Sequence, residues 1–422
     1  MKKLFLLLIV FIFYQSSYSQ WFQSYYLFGV DFNKIQFVNE LTGYIVGEDW
    51  SNYGGVILKT TDGGNNWIDL TSEERFPCRI FDLSFLNANT GFLSGYSEKI
   101  YKTTNGGINW QNIQAPSFGM QTYRVIQFID ENTGYIGGRY GRRFKTTNGG
   151  ITWDTLSEAE SLLYSIFFFN ANTGFMGDAF RSIYKTTDGG INWLTTILRD
   201  TSSSASTYMI THIDFLNDIT GYVAGATGSN SRGAIFKTTN QGNNWINIFY
   251  QDSLELYGID IVNETTIVAA GYGGKVLKTS DGGNTWSITQ VPISNWVLLS
   301  IKFINENTGF TSGYGYVFKT TNGGVSVNQI NSEIPDGISL HQNYPNPFNP
   351  NTKIKFDITK LSDVKLIVYD LLGREMTTLV NERLKAGTYE VDFDGRDLPS
   401  GMYFYKFVTD EFVDVKKMLL IK

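Results

Sequence analysis

The nine residues KTTDGGNNW, Lys59–Trp67, return as KTTNGGINW at Lys102, KTTNGGITW at Lys145, KTTDGGINW at Lys185, KTTNQGNNW at Lys237 and KTSDGGNTW at Lys278, and once more in weakened form as KTTNGGVSV at Lys319. Upstream of each copy lies a second block, as in FVNELTGYIVG at Phe37, FLNANTGFLSG at Phe85, FIDENTGYIGG at Phe128 and FINENTGFTSG at Phe303. Each unit reads strand, Asn-rich turn with Thr-Gly, strand, variable loop, strand, Asp/Asn-Gly-Gly turn and a Trp-led strand. Four short antiparallel strands in a period of about 40 residues is the pattern of a propeller blade. The expected fold is all-β, a seven-bladed β-propeller followed by a small Ig-like β-sandwich.

The repeated turn uses Asp62, Asn105, Asn148, Asp188, Asn240, Asp281 and Asn322 at one position. An amide does not titrate, so a general acid or base could not exchange Asp for Asn, whereas an acceptor of turn amides can. The motif is therefore read as fold-building. Its glycines supply positive φ, and its tryptophans (Trp67, Trp110, Trp153, Trp193, Trp245 and Trp286) pack between blades. The seventh copy has Val327 in place of Trp, but Trp21 stands where an outer strand of that blade would carry it. A ring closed by the N-terminal strand is expected, which removes open sheet edges. Trp50 and Trp296 stay outside this pattern.

The formal charge of −6 gives no basic field, and nucleic acid is not an expected partner. Residues 1–19 have two lysines, an apolar run and small residues before Gln20, as in a secretory signal peptide, and no transmembrane segment is expected after its removal. The single cysteine, Cys78, is expected to be buried and inert. With His212 and His341 as the only histidines, neither a Ser-His-Asp triad nor a histidine-rich metal site is expected, and no catalytic residue, metal or cofactor is assigned.

Strand alternation places the Thr-Gly and Asp/Asn-Gly-Gly turns on one face and the variable loops on the other. Rigid folds present sites on such loops. Those loops supply Trp50, Arg139, Arg142, Arg143 and Trp296 as expected ligand contacts, since rings and guanidinium groups suit sugars, carboxylates and protein surfaces. A glycan or protein ligand is expected on this face. The alternative is a glycan-active hydrolase using Glu48, Asp49 or Asp178.

The turn motif, with Thr60, Asp62, Gly64 and Trp67, resembles the Asp-box or BNR repeat, and the repeats resemble those of the photosystem II stability/assembly factor family. That resemblance implies the fold; an assembly role would follow from resemblance alone. Sialidases also use Asp-boxes, but the arginine triad and Tyr/Glu pair they need are not assignable here. Xyloglucan-degrading enzymes use two propellers, and this chain has one. The tail, through QNYPNPFNP (Gln342–Pro350), VYDLLGRE (Val368–Glu375), SGMYFY (Ser400–Tyr405) and KKMLLIK (Lys416–Lys422), resembles the type A C-terminal sorting domain of the type IX secretion system. That implies the secretion machinery as a partner and a secreted or cell-surface location. The expected organisation is a signal peptide at 1–19, propeller at 20–330, linker and lead-in strand at 331–351 and sorting domain at 352–422, with the family likeness beginning near 340.

Overall fold

The computed structural model describes residues 17–18 and 21–422, apart from 72, 74, 114–115, 117–118, 120–121, 160, 200–208, 228–231, 325–326 and 397. The expected signal peptide therefore lies outside the described residues, save Ser17–Tyr18. Contacts divide the described residues into two compact units, one of Trp21–Gly324 and one of Val327–Lys422 together with Ser17–Tyr18.

The first unit is seven four-stranded antiparallel sheets. In blade 1 the strands Val30–Phe37, Gly43–Asp49, Gly54–Thr60 and Ile68–Asp69 run from the inside outward. Blades 2 to 6 repeat that order. In blade 7 the outer position is filled by Phe22–Tyr26, which pairs antiparallel with Tyr316–Thr320. Trp21 is buried and meets Phe303 edge-on at 5.9 Å, matching Trp110 on Phe85 at the same separation. The expected closure by the N-terminal strand is what the ring uses.

The repeated motif explains itself in hydrogen bonds. Thr60 Oγ1 donates to Asp62 Oδ1 at 2.8 Å, Gly64 N donates back to Thr60 Oγ1 at 2.9 Å, and Asn66 N donates to Asp62 Oδ1 at 2.9 Å. The same three bonds form around Asn105, where an amide oxygen replaces the carboxylate. At Gly64, φ is +70° and an added Cβ would lie 2.3 Å from the Phe310 ring, so backbone conformation and space both demand glycine.

The lysine that opens each motif ties one blade to the next. Lys59, Lys237, Lys278 and Lys319 donate at 2.8–2.9 Å to the carbonyls of Gly106, Gly282, Gly323 and Gly63, each in the following blade's turn. Along the way Lys59, Lys237 and Lys319 each cross an aromatic of their own blade, as Lys59 does Tyr44 at 5.3 Å, whereas Lys278 lies beside Val268. Tyr44 in turn stacks on Phe85 of blade 2 at 3.6 Å.

The second unit has a five-stranded sheet, in the order Ser17–Tyr18, Val327–Asn331, Gly387–Asp394, Asn351–Ile358 and Ser339–Leu340, and a four-stranded sheet of Glu375–Leu384, Ser362–Tyr369, Gly401–Val408 and Val413–Leu420. A shared core of Ile354, Phe356, Leu366, Tyr389, Tyr405 and Phe407 lies between them, as in a sandwich. Where the sequence expects the propeller to run to 330, Val327–Asn331 instead pairs with Gly387–Asp394, and contacts divide the chain after Gly324. The blade position that Val327 would have held is taken by the strand that follows Trp21.

Candidate ligand-binding site

The innermost strand of every blade carries a β-bulge near the end where it enters from the loop face. A bulge re-aims a side chain at the cost of one ladder pairing. The extra residues are Asn33, Phe81, Arg124, Tyr164, Thr211, Tyr257 and Leu299, and all seven line a cavity of about 150 Å³ at the loop-side mouth of the central channel. Deeper, Lys34, Asp82 and His212 line both this cavity and a second of about 310 Å³, which continues among Gln36, Gln127, Asp214, Asp260 and Lys302 toward the turn face.

Most of the deeper polar groups stitch blades together. Asp82 accepts Ile126 N of the next blade at 3.0 Å, and Asp260 accepts Phe303 N at 2.7 Å while pairing with Lys302. Gln36 and Gln127 each bond both backbone polar groups of a neighbouring-blade Phe, Phe85 and Phe168. Burial pushes the Asp214 carboxyl up to about 6, against the attraction of Lys302 and with the repulsion of Asp260. Burial also holds His212 well below the usual imidazole range, helped by Lys34 and Lys302, so that it is neutral at pH 7.

The mouth gathers aromatic and charged side chains from several blades. Trp50 Nε1 donates to Asp31 Oδ2 at 2.7 Å, and the Arg79 guanidinium lies 4.3 Å from the Trp50 ring and 4.9 Å from that of Tyr53. Arg79 also stands 3.7 Å from Glu48. Arg124 lies 5.3 Å from the Phe81 ring and 4.6 Å from the Tyr164 ring. Trp296 packs on Tyr314 with centroids 5.3 Å apart, and the Tyr314 hydroxyl is raised by burial and then by the charges of Asp31 and Glu48. Burial raises Glu48 as well, with Asp31 adding to the shift and Arg79 and Arg124 opposing it. The two tryptophans outside the repeat thus belong to one neighbourhood.

Around that mouth, the hairpins between the second and third strands carry exposed rings at their apices in six blades: Trp50 and Tyr53, Tyr96, Tyr140, Phe180, Tyr272 and Tyr314. The corresponding apex of blade 5, residues 228–231, lies outside the described residues. Tyr53 and Tyr140 hold φ of 54° and 58°, a left-handed conformation uncommon for bulky residues.

The expected arginine cluster does not converge. Arg139 is exposed beside its neighbour Tyr140, and Arg142 stands 3.6 Å from Glu158. Arg143 corrects the expectation: it is 1% exposed, between the rings of Tyr184 at 4.1 Å and Trp193 at 4.4 Å in the next blade, and burial lowers it to about 10. As the first residue of strand Arg143–Thr146, it alternates inward to the blade interface rather than out with the loop. The acids suggested for hydrolysis are also engaged. Asp49 accepts Ser51, Asn52 and Arg75, and the two oxygens of Asp178 accept Phe180 N, Ser182 N and the Tyr184 hydroxyl.

Sequence reasoning missed Arg124, Tyr164 and Tyr257, although the signal was there. Each bulged residue lies four positions before the first residue of the Thr-Gly block, in a column that holds six residue types in seven copies, Tyr alone occurring twice.

Residues 24–112 and 75–162 match the family described as Photosynthesis system II assembly factor YCF48, and residues 342–422 match the Secretion system C-terminal sorting domain. The propeller is similar to YCF48. A solved structure of YCF48 bound to D1 peptide aligns over 72% of this chain and 97% of its own, with 19% identity and a TM-score of 0.57. YCF48 from Cyanidioschyzon merolae aligns over 71% of this chain and 98% of its own, with 20% identity and a TM-score of 0.56. The GH74 enzyme of Niastella koreensis aligns over 80% of this chain and 59% of its own, with 18% identity and a TM-score of 0.56. At these identities the likeness is one of fold. No curated protein matches the chain. Beyond the YCF48-like propeller, the sorting domain marks the protein for type IX secretion to the cell surface or medium. Among the described residues no helix is long and apolar enough to cross a membrane.

Proposed function

We propose that the exported propeller is a binding module whose loop face takes a glycan at the channel mouth. The observation that carries this reading is the set of exposed aromatic residues at the hairpin apices of six blades, placed around the ring of bulged residues. Exposed rings on rigid hairpins offer flat apolar faces to sugar rings, while the tyrosine hydroxyls among them can hydrogen-bond. A protein partner is the second reading, favoured by the peptide bound to the YCF48 relative. Hydrolysis receives less support, because it needs two available carboxyls flanking a bond, and Asp49 and Asp178 are committed to their own loops. A photosystem assembly role would rest on the family likeness alone, and the sorting domain directs this chain away from such partners.

The test is a glycan array probed with the full exported chain and with a Trp50→Ala/Trp296→Ala/Tyr314→Ala variant. Binding by the parent that is lost in a variant of unchanged unfolding midpoint supports the reading. Absence of any glycan binding by the parent overturns it and moves the search to surface pull-downs.

A further inference from the structure

We infer that the channel mouth selects acidic glycans, holding the carboxylate of a uronate sugar on the Arg124 guanidinium. The inference rests on the glycan reading above and deepens it. Arg124 is the bulged residue of its strand, half-buried, with ring neighbours Phe81 at 5.3 Å and Tyr164 at 4.6 Å, and it lines the 150 Å³ cavity. Three of the other loop-face arginines have carboxylate partners: Arg75 has Asp49 and Asp69, Arg79 has Glu48, and Arg232 has Asp252. Among the described residues Arg124 makes ring contacts but no hydrogen bond or ion pair. A guanidinium held by aromatic contacts is fixed in direction while its N–H donors remain available, and the acceptor that suits that fork is a planar oxyanion bound through two parallel bonds.

The surroundings fit an anion better than the local acids first suggest. Lys34 lines the same cavity and adds a second cation. Asp82, the acid on its wall, is turned to the amides of Leu83 and Ile126. Glu48 lies within electrostatic reach of Arg124, but Arg79 stands beside it at 3.7 Å. A cavity of 150 Å³ is smaller than the roughly 300–1,000 Å³ that encloses a whole small-molecule ligand, so it suits one end group of a longer chain. The remaining sugars would then lie across the aromatic apices, which is why a glycan is preferred to a peptide carboxylate.

Calorimetric titration of the full exported chain decides the matter, using oligogalacturonate and oligoalginate, their methyl esters, a neutral oligoglucan, and a peptide with a free C-terminal carboxylate. An acidic oligosaccharide should bind, its ester should bind at least about tenfold more weakly, and Arg124→Gln should lose a similar factor at an unchanged unfolding midpoint. Equal affinity for acid and ester, full affinity in Arg124→Gln, or binding of the peptide alone would overturn the inference. Binding of the neutral oligoglucan without the acids would overturn it while leaving the glycan reading intact. No glycan binding of any kind would overturn both. Should Arg124→Gln fail to fold, the comparison of acid with ester decides without it.

Discussion

Lys319 in the last blade donates its ammonium to the Gly63 carbonyl in the first at 2.9 Å and also to Asn65 Oδ1 at 2.8 Å, so one cation from the last blade holds a turn 256 positions away. The ammonium is largely buried, and burial lowers its pKa with Asp62 opposing the shift. Lys319→Met keeps the stem and removes both bonds. It should cost about 1.5–3 kcal/mol, the usual contribution of a hydrogen bond to a charged group, read as a lower denaturation midpoint. An unchanged midpoint would mean that the blade junction is held by ring packing alone.

Trp21→Ala should lower the unfolding midpoint about as much as Trp110→Ala, each costing about 3–5 kcal/mol, because each indole fills an equivalent slot edge-on to a neighbouring Phe. Side-by-side denaturant melts of the two variants check this. A Trp21→Ala melt like that of the parent would show that the N-terminal strand is dispensable.

Asp214 makes stability depend on pH in an unusual direction for a carboxyl. Its folded pKa, about 6, lies above the ordinary value of 3.8, so between those limits the folded state holds more protons than the unfolded one. The contribution of this group is therefore fully favourable below about 4 and is lost as pH rises through about 6. Asp214→Asn should remove that fall, flattening the midpoint between pH 4 and 6.5 relative to the parent.

Arg143 has Nε and Nη2 buried without hydrogen-bond partners while its guanidinium lies between Tyr184 and Trp193. A buried cation satisfied mainly by rings is replaceable by an apolar chain of similar length. Arg143→Met should hold the melting temperature or raise it, whereas Arg143→Ala should lower it by leaving a cavity. Neither substitution should change ligand affinity if the residue serves the blade interface.

How much of this was legible follows from what repeats. The turn acceptors, glycines and tryptophans recur because every blade meets its neighbour in the same way, and Trp21 was legible because it restores a missing member. The lysine recurred just as faithfully, yet its partner lies one blade away, and spacing along the chain does not show contacts between repeats. The binding face is the part of the design that does not repeat. Trp50 and Trp296 were found as surplus tryptophans, but Arg124 and Tyr164 depend on bulges, whose one trace in the sequence is a variable column at constant spacing before the Thr-Gly block. Arg143 was misjudged because its loop ends one residue earlier than charge clustering suggested.

The pairing of Phe22–Tyr26 with Tyr316–Thr320 gives the ring a single seam. Six blades are made wholly of consecutive chain and can assemble as they are synthesised, whereas the seventh must wait for its outer strand to be recruited from the opposite end of the unit. Such distant pairings bring their stabilisation only after a long loop has closed, which places them late in folding. Until that seam shuts, Tyr316–Thr320 is an unprotected edge, so the interval before closure is when the chain is most exposed to misassembly.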